Sequence, residues 1–306
     1  MIVPTVALVG ELIMRNDVPS KVTPLGNRAG CGSPRRHEMD PVMIGIILFF
    51  FAFMAYDTLW PARDYPSVDR WVLKGIVAFV VYAGLSTGLP FVWDAWLAEH
   101  RLIDATGLGT WGGAAAGFLA VEGFMYGWHR LMHNNDFLWR WFHQMHHSAE
   151  RVDVAGAFYF SPLDMVGWTF LGSLALVWAV GVTPEAAVVA NVIVTFFGVF
   201  SHANIRTPKW LGYFVGRPEM HAVHHERGSH AHNYCDLPFI DMAFGTYKNP
   251  QTFEGLGGFY DGASSRVVDM LLGRDVSVPS ENHAEFSKPN SEWLTRRTAE
   301  RPRTSR

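Results

Sequence analysis

The chain has 306 residues, 25 Lys+Arg against 28 Asp+Glu and a formal net charge of −3, so it offers no basic field for nucleic acid. Charged residues make up 17% and hydrophobic residues 49%, whereas a soluble globular chain is about a quarter charged; the missing charge points to lipid. Only two cysteines, Cys31 and Cys235, are present, which excludes a disulfide scaffold and a thiolate zinc site.

In chain order, residues 1–38 have the Pro/Gly/Ser/Arg character of disordered or non-native sequence, and Met39 reads as the start of the folded part. Residues 39–104 read as N-terminal membrane helices. A span needs about 20 mostly apolar residues, and two runs qualify here: 42–60, broken only by Asp57, and 75–93, with no charge. Residues 105–275 hold three more runs. The first, 106–128, carries Glu122 and the small residues Gly112, Gly113, Ala114 and Gly117, which suit close helix approach. Runs 165–183 and 186–201 follow, joined by Thr183-Pro184-Glu185, a hairpin turn or a re-entrant joint. Residues 276–306 are polar and read as a disordered tail. The expected fold is all-α: an integral-membrane bundle of four to five hydrophobic helices with a histidine-rich lobe. Arg130, Arg140, Arg151, Arg206, Lys209, Arg217 and Arg227 flank the last three runs on one side, and the positive-inside rule makes that side, with the lobe, cytoplasmic.

Histidine is the anomaly: 14 residues, most of them between His129 and His232. His129-Arg-Leu-Met-His133 ends the third run, and its histidines share one helix face a turn apart. His143-Gln-Met-His146-His147 and His221-Ala-Val-His224-His225 both read HxxHH, with His202 between them and His230 and His232 after. At this histidine frequency fewer than one HxxHH is expected by chance, and two occur. Neutral imidazole binds iron, zinc, copper or nickel. Carboxylates that accept the free ring N–H would orient such rings; the candidates are Glu122, Asp136, Asp153, Glu219, Asp236 and Asp241, with Asp153 and Asp241 the foremost. His37, His100 and His283 read as ordinary histidines. Gly107-Leu-Gly109-Thr-Trp-Gly112 matches GxGxxG, but no strand precedes it, so it reads as a small-residue approach to a span.

The series HxxxH, HxxHH and a later HxxHH among hydrophobic runs resembles the fatty acid hydroxylase / sterol desaturase superfamily. Pro218-Glu-Met ahead of the third box, Asn233-Tyr234 after it and the closing Asp241…Phe244-Gly245-Thr246 strengthen the likeness, which covers roughly residues 110–250. The resemblance implies a di-metal catalytic domain holding two iron ions, with zinc able to replace iron in isolated protein, and O₂ as co-substrate. It implies His129, His133, His143, His146, His147, His202, His221, His224 and His225 as metal ligands, the eight box histidines being the catalytic set, and Asn233 as a supporting group. Where many relatives carry His-Pro this chain has Ser161-Pro162, so His232 is expected to replace a ligand. The implied function is O₂-dependent hydroxylation or desaturation of a membrane lipid (sterol, fatty-acyl or related). Electrons would come from a separate donor, a b-type cytochrome, ferredoxin or reductase, since no nucleotide site is visible. A multi-pass membrane location follows, with a bacterial inner membrane favoured over the endoplasmic reticulum. The competing classes are a membrane zinc hydrolase, which needs an acidic base, and a metal transporter, whose ligands belong inside the spans.

Overall fold

The computed structural model describes residues 41–279. The expectations for residues 1–38, for the Met39 start, for His37 and Cys31, and for the tail beyond 279 with His283 lie outside the described residues. Within them the chain is helical, without a strand; one isolated bridge pairs Glu226 with Gly257.

Apolar runs become helices because the chain can satisfy its backbone only internally where water is absent. Helix α1 is Pro41–Leu59, α2 is Trp71–Gly88 and α3 is Pro90–Glu99. Pro90 lacks an N–H, yet the 71–99 rod continues through it, because Leu89 stays helical and Pro90 sits at the first position of α3. Helix α4 is Gly109–His133. A second rod, α5, covers 136–147 and passes through a π-helical turn at Trp139–His143. Helix α6, Pro162–Ala179, ends in another π-helical stretch, and α7 is Pro184–His202. Ser161 and Thr183 cap α6 and α7 by accepting from Asp164 N and Ala186 N, each with proline at the first helical position. Short helices α8 (Pro218–His224), α9 (Pro238–Phe244) and α10 (Val267–Leu271) complete the lobe.

Three helical rods are long and apolar enough to cross a membrane: Trp71–Glu99, Pro162–Ala179 and Pro184–His202; the apolar part of α1, Ile44–Leu59, is shorter. The run at 106–128 forms α4 as expected, but α4 is not among those three. Composition explains this: its glycines, Glu122 and closing histidines make it less apolar than those rods. Helix α4 packs against α7 and α6 rather than presenting a wholly apolar surface. A Cβ on Gly113 would lie 2.9 Å from Ala186 Cβ, and one on Gly117 would lie 2.6 Å from Leu176 Cδ2. The small residues therefore serve the close approach that the sequence implied.

The largest core cluster joins α1 and α2 to the loop after α5. Phe50 stacks on Phe79 at 4.2 Å between centroids, and Phe158 packs on both. Asp57, buried in α1, accepts from the backbone N–H groups of Val154 and Asn204 and so ties that helix to the loops beside α5 and α7. Gly75 is the tightest point. A Cβ there would sit 2.2 Å from the Ala155 carbonyl, and backbone cannot yield as a flexible side chain can. Gly75→Ala is expected to cost about 1–3 kcal/mol through overpacking, seen as a lower thermal midpoint; an unchanged midpoint would count against this packing. At the other end Val276 is fully buried and its N–H meets Gln144 Oε1, so ordered packing runs into the segment expected to be a tail.

Candidate metal centre

The histidines converge from four helix ends. His129 and His133 close α4, His143, His146 and His147 lie on α5, His202 ends α7, and His221 and His224 lie on α8, with His225 as its C-cap. They sort into two groups. Ring nitrogens of His129, His133, His143, His147 and His224 lie within 4.8 Å of one another; those of His146, His202, His221 and His225 form a second such group. Each HxxHH box is thus divided. Its first and last members on α5, His143 and His147, join one group while His146 joins the other; on α8, His221 and His225 pair while His224 crosses. Helix geometry dictates the split, because successive residues turn by about 100° and the i+3 and i+4 side chains diverge by that angle.

Hydrogen bonds on the outer side fix four of these rings. Nδ1 of His129 donates to the Tyr234 carbonyl at 2.8 Å, and that of His202 to the Gly198 carbonyl at 2.8 Å. His224 donates to the His232 carbonyl at 2.7 Å, and His143 to Asp164 Oδ2 at 2.7 Å. The three carbonyls only accept, so Nδ1 of His129, His202 and His224 carries the proton and Nε2 presents a lone pair inward; an ionised Asp164 does the same for His143. Nε2 of His129 and Nε2 of His143 then face each other at 2.9 Å, lone pair to lone pair. That arrangement repels unless a cation lies between the rings. Nε2 of His133, His147 and His224 and Nδ1 of His146 and His225 are buried with no protein partner, a condition native structures rarely tolerate. Burial, with the mutual repulsion of neighbouring rings, holds the pKa of His143, His146, His147, His221, His224 and His225 well below the ordinary histidine value. They are neutral at pH 7, the form that binds metal. The donor set fits two cations with nitrogen shells.

The remaining expected site residues are placed otherwise. His232 adopts a left-handed φ of 72° and meets His224 through its backbone carbonyl; its ring belongs to neither group. The ligand expected there is corrected to a carbonyl strut. Ser161, read as marking a lost ligand, caps α6 and donates to the Trp141 and Phe142 carbonyls at 3.0 and 2.9 Å, bracing the turn that carries His143. His232→Ala should leave metal content near wild type, since the carbonyl survives; a loss as large as that of a box mutant, by elemental analysis, would contradict this placement. His230 lies beside the first group, its Nδ1 3.2 Å from that of His147.

Asp153, Asn233 and Asp241 touch no histidine ring through their side-chain hydrogen bonds. Asp153 accepts from Trp71 Nε1, Arg151 Nε and Gly156 N. Asn233 and Asp241 shape the loop that presents the Tyr234 carbonyl to His129. Asn233, at φ 51°, donates to the Met220 and Lys248 carbonyls, while Asp241 accepts from Tyr234 N and Thr246 Oγ1. Of the other acids considered, Glu122 accepts from Asp236 N and Leu237 N, and Glu219 accepts from Thr207 and Arg217. Asp136 sits in the first turn of α5, its carbonyl accepting from Arg140. The carboxylate that does orient a ring, Asp164, was not among the candidates. Its signal was the Ser161-Pro162-Leu163-Asp164 helix start, with an acid at the third helical position.

A cavity of about 120 Å³ opens between the helices at this centre. Rings of His129, His143, His146, His202 and His221 line one part, and Val121, Phe158, Leu171 and Val194 give the rest an apolar wall.

Residues 114–246, which contain both histidine groups, match the family model described as fatty acid hydroxylase. The chain is similar to an ornithine lipid hydroxylase of Rhizobium tropici, 26% identical over 230 residues, 68% of this chain and 65% of that protein. It is similar to a sphingolipid C4-hydroxylase of Schizosaccharomyces pombe, 26% identical over 139 residues, 44% and 47% of the two chains. A third relative is the alkylglycerol monooxygenase of Homo sapiens, 28% identical over 187 residues, 60% of this chain and 40% of that one. The chain thus spans less than two thirds of each relative's length. No solved structure matches it.

Proposed function

We propose, from the match of residues 114–246 to the fatty acid hydroxylase family model and the likeness to lipid hydroxylases, that the chain is a membrane oxidoreductase that uses O₂ to hydroxylate a C–H bond of a lipid. The observation that carries the reading is the pair of inward-facing histidine groups opening on an apolar cavity between helices. His129, His133, His143, His147 and His224 would hold one metal ion, and His146, His202, His221 and His225 the other, iron in the working protein. Two irons there supply the redox chemistry that an unactivated C–H bond demands. The chain's own groups do the rest. Asp164 and the Tyr234, Gly198 and His232 carbonyls hold the rings in the tautomer that points Nε2 inward. The apolar wall takes an alkyl chain and keeps water from the rings. Electrons come from a separate protein donor at the lobe, which faces the cytoplasm.

Two observations favour this reading over its competitors. A zinc hydrolase needs fewer ligands, whereas nine histidine rings gather here in two groups. A transporter needs ligands within its spans, whereas these gather at helix ends. The test is incubation of the purified chain with membrane lipids, labelled dioxygen and a chemical reductant. Iron-loaded protein should place one labelled oxygen in a lipid product, and zinc-loaded protein none, although zinc competes well for imidazole. Equal product from both, or product without label, would overturn the assignment.

A further inference from the structure

One acidic side chain on the cavity wall is left without a partner. Asp236 is 8% exposed and lines the same cavity as the histidine rings. Its backbone is fully engaged: the N–H donates to Glu122 Oε2 at 2.8 Å, and the carbonyl accepts from Gly216 N at 2.7 Å. Among the described residues no group hydrogen-bonds its carboxyl, and no Lys or Arg pairs with it. Trp168 Nε1 on that wall also lacks an acceptor, but it is a donor, and the other polar side chains beside Asp236 are committed. Asn233 spends its amide on Met220 and Lys248, Ser201 donates to the Gly198 carbonyl, and Tyr82 bonds Thr169. Asp236 also has acidic neighbours in Glu122 and Asp241, so nothing nearby compensates it.

The residue is largely buried, yet its carboxyl oxygens are not among the enclosed unpartnered atoms of the chain, so they meet the open space of the cavity and not packed protein. Such a group persists where a ligand completes it. Burial and the Asp241 charge push its pKa up to about 7, which leaves the carboxyl responsive to whatever donor arrives. We propose that Asp236 is the polar recognition point of the lipid cavity, accepting a hydrogen bond from an N–H or O–H borne by the substrate near the carbon that reaches the histidines. The substrate class is then an amphiphile with an amine or hydroxyl on its chain, rather than a plain hydrocarbon tail. The position of the reacting carbon rests on the hydroxylase reading; the binding preference does not.

The experiment measures equilibrium binding of octadecylamine, octadecan-1-ol and octadecane to the full, metal-loaded chain in nanodiscs. Wild type should bind the amine or the alcohol about 10–100-fold tighter than the alkane, the range of a hydrogen bond to a charged group. Asp236→Ala should erase that preference while metal content and thermal midpoint stay at wild-type values. The near-isosteric Asp236→Asn separates the two donors. It keeps an accepting oxygen, so alcohol binding should persist, whereas preference for a cationic amine should fall as far as in the alanine variant. A wild-type chain that binds all three alike, or an Asp236→Ala chain that keeps the wild-type ranking, overturns the proposal. Polar preference without any oxidation would sink the hydroxylase reading and leave this one standing.

Discussion

Replacing His225 by alanine is expected to leave the purified chain with about one metal ion against the two proposed for wild type, and with no detectable lipid oxidation. The reason lies in the uneven groups. His146, His202, His221 and His225 number four, and removing one leaves three imidazoles. His224→Ala removes one of five and leaves a four-nitrogen set, so it should retain more metal than His225→Ala while losing turnover as completely. A metal centre that works as a pair fails when either half is distorted. Elemental analysis beside product assay separates the two effects. The control is His100→Ala. That ring stacks on Trp96 and bonds its carbonyl, exposed and far along the chain from the boxes, and its loss should leave both readouts near wild type. Box mutants that kept full metal and full turnover would end the metal-centre account.

Asp164→Asn is expected to lower metal affinity or turnover by about 10–100-fold, the usual effect of removing a group that orients a metal-binding histidine. The carboxylate fixes the proton of His143 on Nδ1 and raises the basicity of Nε2. An amide removes the charge, and if its NH₂ faces the ring it forces the proton onto Nε2, where the lone pair is needed. Asp153→Asn should behave differently. Its partners are Trp71, Arg151 and a turn N–H, so the loss should appear in thermal stability with metal content unchanged. If Asp153→Asn lowered metal content and Asp164→Asn did not, the assignment of the orienting carboxylate would be reversed.

The histidine boxes were legible because their spacing is a helix-face code, and the structure does bring together every box histidine and His202. Their division between two groups also follows from the sequence once 143–147 and 221–225 are read as helix. What escaped was of two kinds. The carbonyls of Tyr234, Gly198 and His232 act through backbone, which no residue type announces; that is why His232 looked like a ligand when only its peptide oxygen is used. Asp164 escaped because a Ser-Pro-x-Asp step is sufficient as a helix start, and its second role depends on α5 lying against that start. The apolar runs located the helices, yet hydropathy treated 106–128 as one span among equals. Its glycines and Glu122 make α4 less apolar than the other rods, and Gly113 and Gly117 let it pack closely against α7 and α6 while Glu122 is carried inward. Asp236 was considered as an acid near the rings, and only the cavity reveals that it faces the space between them.

The central claim is two metal ions, one in each histidine group. The most direct measurement is iron stoichiometry on purified, full-length, active chain, by elemental analysis across preparations of graded iron content. The account predicts a plateau at two irons per chain, with turnover proportional to the doubly loaded fraction. A chain that reaches full turnover with one iron, or with none, would contradict it.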